Sequence, residues 1–200
     1  MSDTDTQARI AELEEQLQRE MTTRKRLVEI ATQLSSTLNL QELLQLIMAS
    51  AAELLDAEAS SLLLLDDETN ELWFEVATGG TAENVVKRRM PATEGIAGWA
   101  LQHREAVVLD DPSSDSRFYS DVGAAIGFET DNLVALPLLV KDRAIGVVEV
   151  INKRKAAGFS EVDLDIATAL ASLAAIALDN ASMYARLADA VVAARMSYRL

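Results

Sequence analysis

The chain has 200 residues, 50% of them hydrophobic and 25% charged, which suffices to bury the core of one domain with some chain left over. Its 32 acidic and 18 basic side chains give a net charge of −14, so we expect neither nucleic acid nor an anionic membrane as a partner. The absence of cysteine excludes disulfides, thiolate metal sites, sulfur-linked chromophores and cysteine nucleophiles. His103 is the single histidine, which also excludes a histidine-rich metal site.

The sequence shows neither a secretory signal nor a membrane span. The N-terminus lacks the basic-then-apolar order of a signal peptide. The longest apolar stretch, residues 166–178, is shorter than the roughly 20 residues that cross a bilayer. We therefore expect a cytoplasmic protein.

Residues 4–56 contain no glycine or proline and have helical periodicity. Apolar side chains recur there at steps of three and four: Ile10, Leu13, Leu17, Met21, Val28, Ala31, Leu34 and Leu38. A narrow apolar stripe on a polar helix favours a coiled coil, so residues 1–37 are predicted to form a dimerisation helix. The alternative is a helix that packs along its own domain. A second helix is predicted to follow Asn39, which can cap it with Glu42 at the third position.

Residues 59–153 are predicted to consist mainly of strands. The strands are expected at 61–65, 72–78, 107–109, 133–140 and 144–152, the first two forming a hairpin around the polar turn 66–70. Residues 95–101 are predicted to form a short helix. The segment 110–131 lacks clear periodicity and is long for a simple connection, which is typical of a binding loop.

A long final helix is predicted from Ser160, whose hydroxyl can cap it, to about residue 200. Residues 166–178 are apolar nearly all round the helix, which indicates burial against the sheet and a partner helix. The order of elements predicts an α+β domain: an antiparallel β-sheet with helices packed on one face, flanked by long N- and C-terminal helices that form a dimeric bundle.

Short motifs follow one another in a fixed order along most of the chain. They are Ser-Ser-Leu-Leu-Leu-Leu-Asp at 60–66, Gly-Ile-Ala-Gly at 95–98 after Pro91, Asp-Asp-Pro at 110–112, Arg-Phe-Tyr at 117–119, Gly-Phe-Glu-Thr-Asp-Asn at 127–132 and Ile-Gly-Val-Val-Glu-Val-Ile-Asn-Lys at 145–153. In this order and spacing residues 38–184 resemble a GAF domain, the sensory module of phosphodiesterases, cyclases, kinases and phytochromes. Residues 185–200 would continue its C-terminal signalling helix.

One signature of cyclic-nucleotide-type GAF domains, Asn-Lys, then Phe, then Asp-Glu, is nearly complete in this chain. It matches at Asn152, Lys153, Phe159 and Asp163, while Leu164 stands in place of the final Glu. The resemblance implies that Lys153 and Asp163 form an ion pair that joins the last strand to the final helix and supports the pocket. An exposed charge pair of little energetic value is the alternative.

The resemblance also implies a ligand pocket between the sheet and the short helix, beneath the long loop. In cyclic-nucleotide-binding members, the position of Ser61 reaches the base, and the amides of Ile96 and Ala97 meet the cyclic phosphate. Thr130 and Glu149 would line the remaining wall. This chain departs from one phosphodiesterase-type subset at four positions of that pocket: Ala77, Thr78, Gly123 and Ile126.

Gly95 and Gly98 flank the start of the short helix. The free N–H groups of a helix N-terminus can bind an anion without a basic side chain. Alternatively, both glycines only permit a tight turn and close packing.

The resemblance implies a regulatory module that senses a small molecule, a cyclic nucleotide or a similar ligand, and not an enzyme. Sulfoxide reductases of the GAF fold use cysteines, which are absent here. We expect no metal and no covalent chromophore, a homodimer, and an output domain or protein downstream of the last helix. The alternative function is a ligand-free structural dimerisation module.

Overall fold

The computed structural model describes residues 3–36, 39–80, 82–119, 121–155 and 158–197. The predicted domain boundary at Leu38 lies outside these ranges, and so do the last three residues of the chain. The backbone of Ile126 is described but its side chain is not. The elements are α1 Asp3–Ser36, α2 Leu40–Leu54, β1 Ala57–Asp66, β2 Glu71–Thr78, α3 Ala82–Val85, β3 Arg89–Pro91, α4 Gly95–His103, β4 Val107–Leu109, a 3-10 turn Pro112–Ser114, α5 Asp121–Ile126, β5 Leu133–Val140, β6 Arg143–Lys153 and α6 Glu161–Ser197.

The strands in the described part of the chain form one six-stranded antiparallel sheet in the order β3-β2-β1-β6-β5-β4. Each predicted strand lies within an observed one, and β1 and β2 form the predicted hairpin. The central pair, β1 and β6, comes from opposite ends of the domain sequence. This pairing places Ser61 directly beside Glu149.

The long helices cover one face of the sheet, called here the helix face. Its core contains Leu44 and Ile47 of α2, Leu62 of β1, Val148 of β6 and Leu170 of α6, all of them fully buried. Because side chains alternate along a strand, Leu63 and Val147, the next residues of the two strands, point to the opposite face.

Helix α2 begins as the sequence predicts. The side chain of Asn39 accepts a hydrogen bond from the backbone N–H of Glu42 at 3.3 Å. Such a cap satisfies one of the N–H groups that the first turn of a helix leaves without a partner.

The opposite face, called here the cavity face, is covered by α4 and by the connections on either side of it. Its core contains Leu63, Ile96, Ala100, Leu133 and Val147. The predicted fold class is therefore confirmed, but the placement of helices on one face holds for the long helices only. The physical reason is that β1 is apolar on both sides, so its second face also needs a cover.

Helix α1 meets the domain only near its C-terminal end, where Ile30 is fully buried among α2 and α6. Further towards the N-terminus the predicted apolar stripe is about half exposed at Ile10, Leu13, Leu17 and Met21. The helix thus packs along its own domain at one end and leaves the stripe uncovered at the other. None of the described helices is long and apolar enough to cross a bilayer.

Candidate ligand pocket

A cavity of about 100 Å³ lies on the cavity face, between the central strands, the start of α4 and the segment that leads into β5. All five residues that the sequence assigns to the ligand line it: Ser61, Ile96, Ala97, Thr130 and Glu149. The sheet register explains part of this agreement, because β1 and β6 bring Ser61 and Glu149 side by side.

Glu149 carries the charge of this cavity. The hydroxyl of Ser61 donates a hydrogen bond to its Oε2 at 3.3 Å. Burial raises the pKa of Glu149 to about 7, and the weaker effect of the Ser61 hydrogen bond lowers it. The side chain keeps some accessible surface because it faces the cavity, although protein surrounds it. The carboxyl therefore changes charge near neutral pH.

The start of α4 forms the wall opposite the strands. Gly95 has a φ of +74°, which favours glycine, and a Cβ there would come within 3.0 Å of Met90 and 3.1 Å of Tyr119. At Gly98 a Cβ would lie 2.9 Å from the carbonyl oxygen of Ala92. Both glycines thus permit close packing, and they leave the first-turn N–H groups of α4 beside the cavity. Both alternatives for this pair of glycines fit the structure.

Asn152 fastens the end of the long loop to β6. Its backbone has a φ of +59°, and its amide nitrogen donates to the carbonyl oxygen of Glu129 at 2.8 Å. Its Oδ1 accepts from the N–H of Asp131 at 2.8 Å. Asn132 makes the reciprocal contact, since its Oδ1 accepts from the N–H of Lys153 at 2.8 Å. These bonds hold the segment that carries Thr130 against the sheet.

Lys153 and Asp163 form the ion pair that the sequence suggests, and it is largely buried. Their Nζ and Oδ1 atoms are 2.8 Å apart, with side chains 15% and 11% exposed, so the exposed alternative is wrong. Burial raises the pKa of Asp163, but hydrogen bonds from Lys153 and Ser160 together hold it below its usual value. Lys153 also donates to the carbonyl oxygen of Leu55 and lies over the ring of Phe159.

The residues expected to support the pocket without contacting a ligand are Gly95, Gly98, Asn152, Lys153, Phe159 and Asp163; of these, Gly95 lines the cavity and the other five do not. Sequence reasoning gave no role to the aromatic side chains of the loop. Phe118, Tyr119 and Phe128 line the cavity. The sequence contained a sign of this, because these aromatic residues belong to the Arg-Phe-Tyr and Gly-Phe motifs that carry the family resemblance. Segment 110–131 also contains a 3-10 turn and α5, where an irregular loop was expected.

His103 is exposed and stacks on Trp99 outside the cavity. No group of histidine and acidic side chains in the described ranges is arranged to hold a metal ion.

Comparison with known proteins gives the chain its family. A family model described as GAF domain matches residues 37–179. The chain belongs to the GAF domain family. It is 28% identical over 163 residues to a probable 3′,5′-cyclic phosphodiesterase, pde-5, of Caenorhabditis elegans, which covers 77% of this chain and 22% of that protein. It is also 28% identical over 168 residues to the dual 3′,5′-cyclic-AMP and -GMP phosphodiesterase 11A of Takifugu rubripes, covering 79% of this chain and 19% of the relative.

The GAF domain thus spans about a fifth of the length of these curated relatives. Among solved structures, it resembles the GAF domain of a phosphoenolpyruvate-protein phosphotransferase from Coxiella burnetii with a TM-score of 0.75 and 22% identity, covering 83% of this chain and 98% of the other. It resembles free methionine-R-sulfoxide reductase from Neisseria meningitidis with a TM-score of 0.65 and 23% identity, covering 82% and 91%. Those structures support the fold, and the phosphodiesterase relationship is consistent with a regulatory role in signalling.

Proposed function

We propose that this GAF domain is a regulatory module that binds a small molecule in the cavity and signals through its terminal helices. The observation that supports this most strongly is the cavity itself. It contains a partly accessible carboxyl group, Glu149, next to the predicted ligand residues. A structural module would gain stability by filling this space with side chains, because empty space in a core costs packing energy.

A path of direct contacts leads from the cavity to the helices. Thr130 lines the cavity, and its neighbours Glu129 and Asp131 bind the side chain of Asn152. The next residue, Lys153, binds both the end of α2 through the Leu55 carbonyl and the start of α6 through Asp163. A ligand that moves the loop therefore acts on both helices, provided that it binds one arrangement more tightly than the other.

The output is proposed to be a homodimer in which α1 and α6 pair with those of a second copy. The stripe on α1 is about half exposed, and Met183, Tyr184 and Leu187 of α6 are 56–70% exposed. Apolar rows of this kind on two long helices favour association. An output domain or protein beyond the C-terminal helix would then read the arrangement of the pair.

Cyclic nucleotides are one candidate ligand, because the relatives with 28% identity are named as cyclic-nucleotide phosphodiesterases. In that case the amides of Ile96 and Ala97 would hold the phosphate. The ligand-free dimerisation module stays as the alternative function. The two functions differ in whether any small molecule stabilises the protein.

The first experiment is a thermal-shift and calorimetric screen with cyclic AMP, cyclic GMP, cyclic dinucleotides and small metabolites. A ligand present at 100 times its dissociation constant should stabilise the fold by about 2.7 kcal/mol. Gly95→Val should abolish binding, because the new side chain meets Met90 and Tyr119. Gly80→Val is the matched control, since nothing lies within 4 Å of a Cβ there. The absence of any stabilising compound would favour the structural module.

The second experiment tests the output. Because the chain has no cysteine, Ala185→Cys on the exposed side of α6 offers a single site for a spin label. Sedimentation should show a dimer, and Leu17→Glu on the α1 stripe should weaken it. The distance between the two labels should change when a stabilising compound is added. A monomer, or a dimer whose distance stays constant with bound compound, would contradict signalling through the helices.

A further inference from the structure

The charged side chain that lines the cavity is acidic. In the described segment 127–131, which leads from α5 to β5, Glu129 and Asp131 are acidic and no residue is basic. Among the lining residues, all within the described ranges, Glu149 is the only carboxylate and no basic side chain is present. The whole chain carries a net charge of −14, so its field attracts cations to such a site.

Glu149 lacks the kind of partner that Asp163 has. Within the described part of the chain the Ser61 hydroxyl is its hydrogen-bond partner, and no lysine, arginine or histidine lies within ion-pair distance. A carboxylate can accept about four hydrogen bonds, so most of this capacity is unused. An unpaired buried carboxylate is unfavourable, and a cation placed beside it removes that penalty.

The cavity that favours a cation disfavours an anionic ligand. The wall offers the backbone N–H groups at the start of α4 but no basic side chain. A phosphate in the cavity would add a second negative charge close to Glu149. Two like charges in a low-dielectric site repel each other strongly.

The size and lining of the cavity limit the rest of the ligand. Its volume of about 100 Å³ is below the range of roughly 300–1,000 Å³ that is usual for drug-sized ligands. It is closer to an apolar cavity of about 150 Å³ that holds benzene. Phe74, Phe118, Phe128 and Met90 supply apolar surface and aromatic rings, which also favour a cation.

We infer that the cavity binds a small organic cation, an amine or amidine on an apolar body of about benzene size, whose charged group pairs with Glu149 and Ser61. This inference rests on the proposed sensing function and specifies the chemical class of its ligand. It gives Glu149 the role of the specificity-determining residue, while the aromatic side chains hold the apolar part.

Binding of such a cation should depend on pH in a defined direction. Glu149 has a pKa of about 7 in the free protein, so it is mostly neutral at pH 6 and mostly charged at pH 8. The groups that face it are Ser61 on β1, Ala135 on β5 and the start of α4, and Tyr119 is the other titratable lining residue in the described chain. A cation of high pKa should therefore bind about ten-fold more tightly at pH 8 than at pH 6.

The test uses three probes on one carbon frame: benzylamine, benzyl alcohol and benzoate. Their binding is followed by amide chemical shifts of Ser61, Ile96 and Ala97 at pH 8. We expect benzylamine to bind at least about ten-fold more tightly than benzyl alcohol, because its charge pairs with Glu149, and benzoate to bind most weakly. Glu149→Gln should remove the preference for the amine, whereas Glu68→Gln, in the exposed turn between β1 and β2, should keep it.

The outcomes separate this inference from the proposed function. If benzyl alcohol, benzoate or cyclic AMP shifts the cavity amides at lower concentration than benzylamine, the cation inference is overturned and the sensing function stands. If Glu149→Gln keeps the full preference for the amine, the role of Glu149 is overturned. If neither the three probes nor any compound of the thermal-shift screen shifts these amides, both proposals fail.

Discussion

The two faces of the sheet differ in how a buried carboxyl group is paired and in the direction in which its pKa is shifted. Beside the helix face, Asp163 is paired with Lys153 and bonded by Ser160, and its pKa lies below the usual value. On the cavity face, Glu149 has a hydroxyl as its partner, and burial raises its pKa to about 7. The same fold thus pairs one carboxyl with a lysine and leaves the other on the cavity wall without a basic partner among the described residues.

Under the proposed function, this difference separates residues that stabilise the domain from residues that bind the ligand. The helix face is closed by α2 and α6 around fully buried leucines, so its residues mainly stabilise the domain. The cavity face keeps a void and an unpaired charge, both of which reduce stability. Ligand-binding sites often reduce the stability of the free protein, because side chains positioned to contact a ligand lack their best partners when no ligand is bound.

Breaking the ion pair should produce the largest loss. Lys153→Met leaves Asp163 buried without its cation, so we expect the free energy of unfolding to fall by about 3–5 kcal/mol. Urea unfolding at pH 7 measures this loss. A double-mutant cycle with Asp163→Asn should give a clear coupling energy, and a coupling of zero would show that the pair does not support the domain.

Cavity-creating substitutions should distinguish the two faces. Leu170 of α6 is fully buried in the helix face, so Leu170→Ala should cost about 2–5 kcal/mol. Leu133→Ala is the matched change on the cavity face and should cost less, because part of that side chain already borders empty space. Denaturant unfolding of both variants gives the comparison. Equal losses would indicate that the void is closed in solution.

The two carboxyls should respond to pH with opposite signs. The pKa of Glu149 rises on folding from 4.5 to about 7, so the folded state binds more protons and stability falls as pH rises between these values. Glu149→Gln should therefore raise the unfolding free energy by about 3 kcal/mol at pH 8 and leave it unchanged at pH 4.

Asp163→Asn provides the contrasting variant. The folded-state pKa of Asp163 lies below 3.8, so its contribution is present above that pH and is lost as pH falls through the folded value. Asp163→Asn should thus destabilise most at neutral pH and least in acid. Unfolding curves between pH 2 and pH 8 measure both variants. A stability of Glu149→Gln that matches the original protein at every pH would contradict the raised pKa.

Closing the space behind α4 should give the smallest effect. A Cβ at Gly98 would meet the backbone of Ala92 and Thr93 at 2.9 and 3.0 Å, so Gly98→Ala should cost about 1–3 kcal/mol. Gly80→Ala should change stability by less than about 0.5 kcal/mol, because the space around it is open. Thermal unfolding of both variants is sufficient. Equal stability would mean that α4 can shift away from the sheet.

Local signals account for what could be predicted from the sequence. The Asn39 cap, the hairpin turn at 66–70 and the start of the final helix after Ser160 each depend on residues within a few positions of one another. The family motifs also identified five of the twenty cavity-lining residues, without showing the distances between them.

Contacts between distant segments could not be predicted in this way. The backbone N–H of Asn152 donates to the carbonyl oxygen of Asn132 across 20 residues, and Lys153 reaches Leu55 across 98. The assignment of helices to both faces depends on how the connections around α4 fold back over β1 and β6. Such arrangements depend on the sheet register, which is a property of the assembled domain.

The sequence by itself determined the order of the long helices and the main strands, the family and five of the pocket residues, because each follows from local periodicity or from motifs in a fixed spacing. Only the tertiary structure decided that Lys153 and Asp163 are buried as a pair, while Glu149 faces a cavity whose lining contains no basic side chain. The physical reason is that side chains from distant parts of the sequence decide whether a charge is paired. The degree of burial then decides how much the pairing contributes to stability.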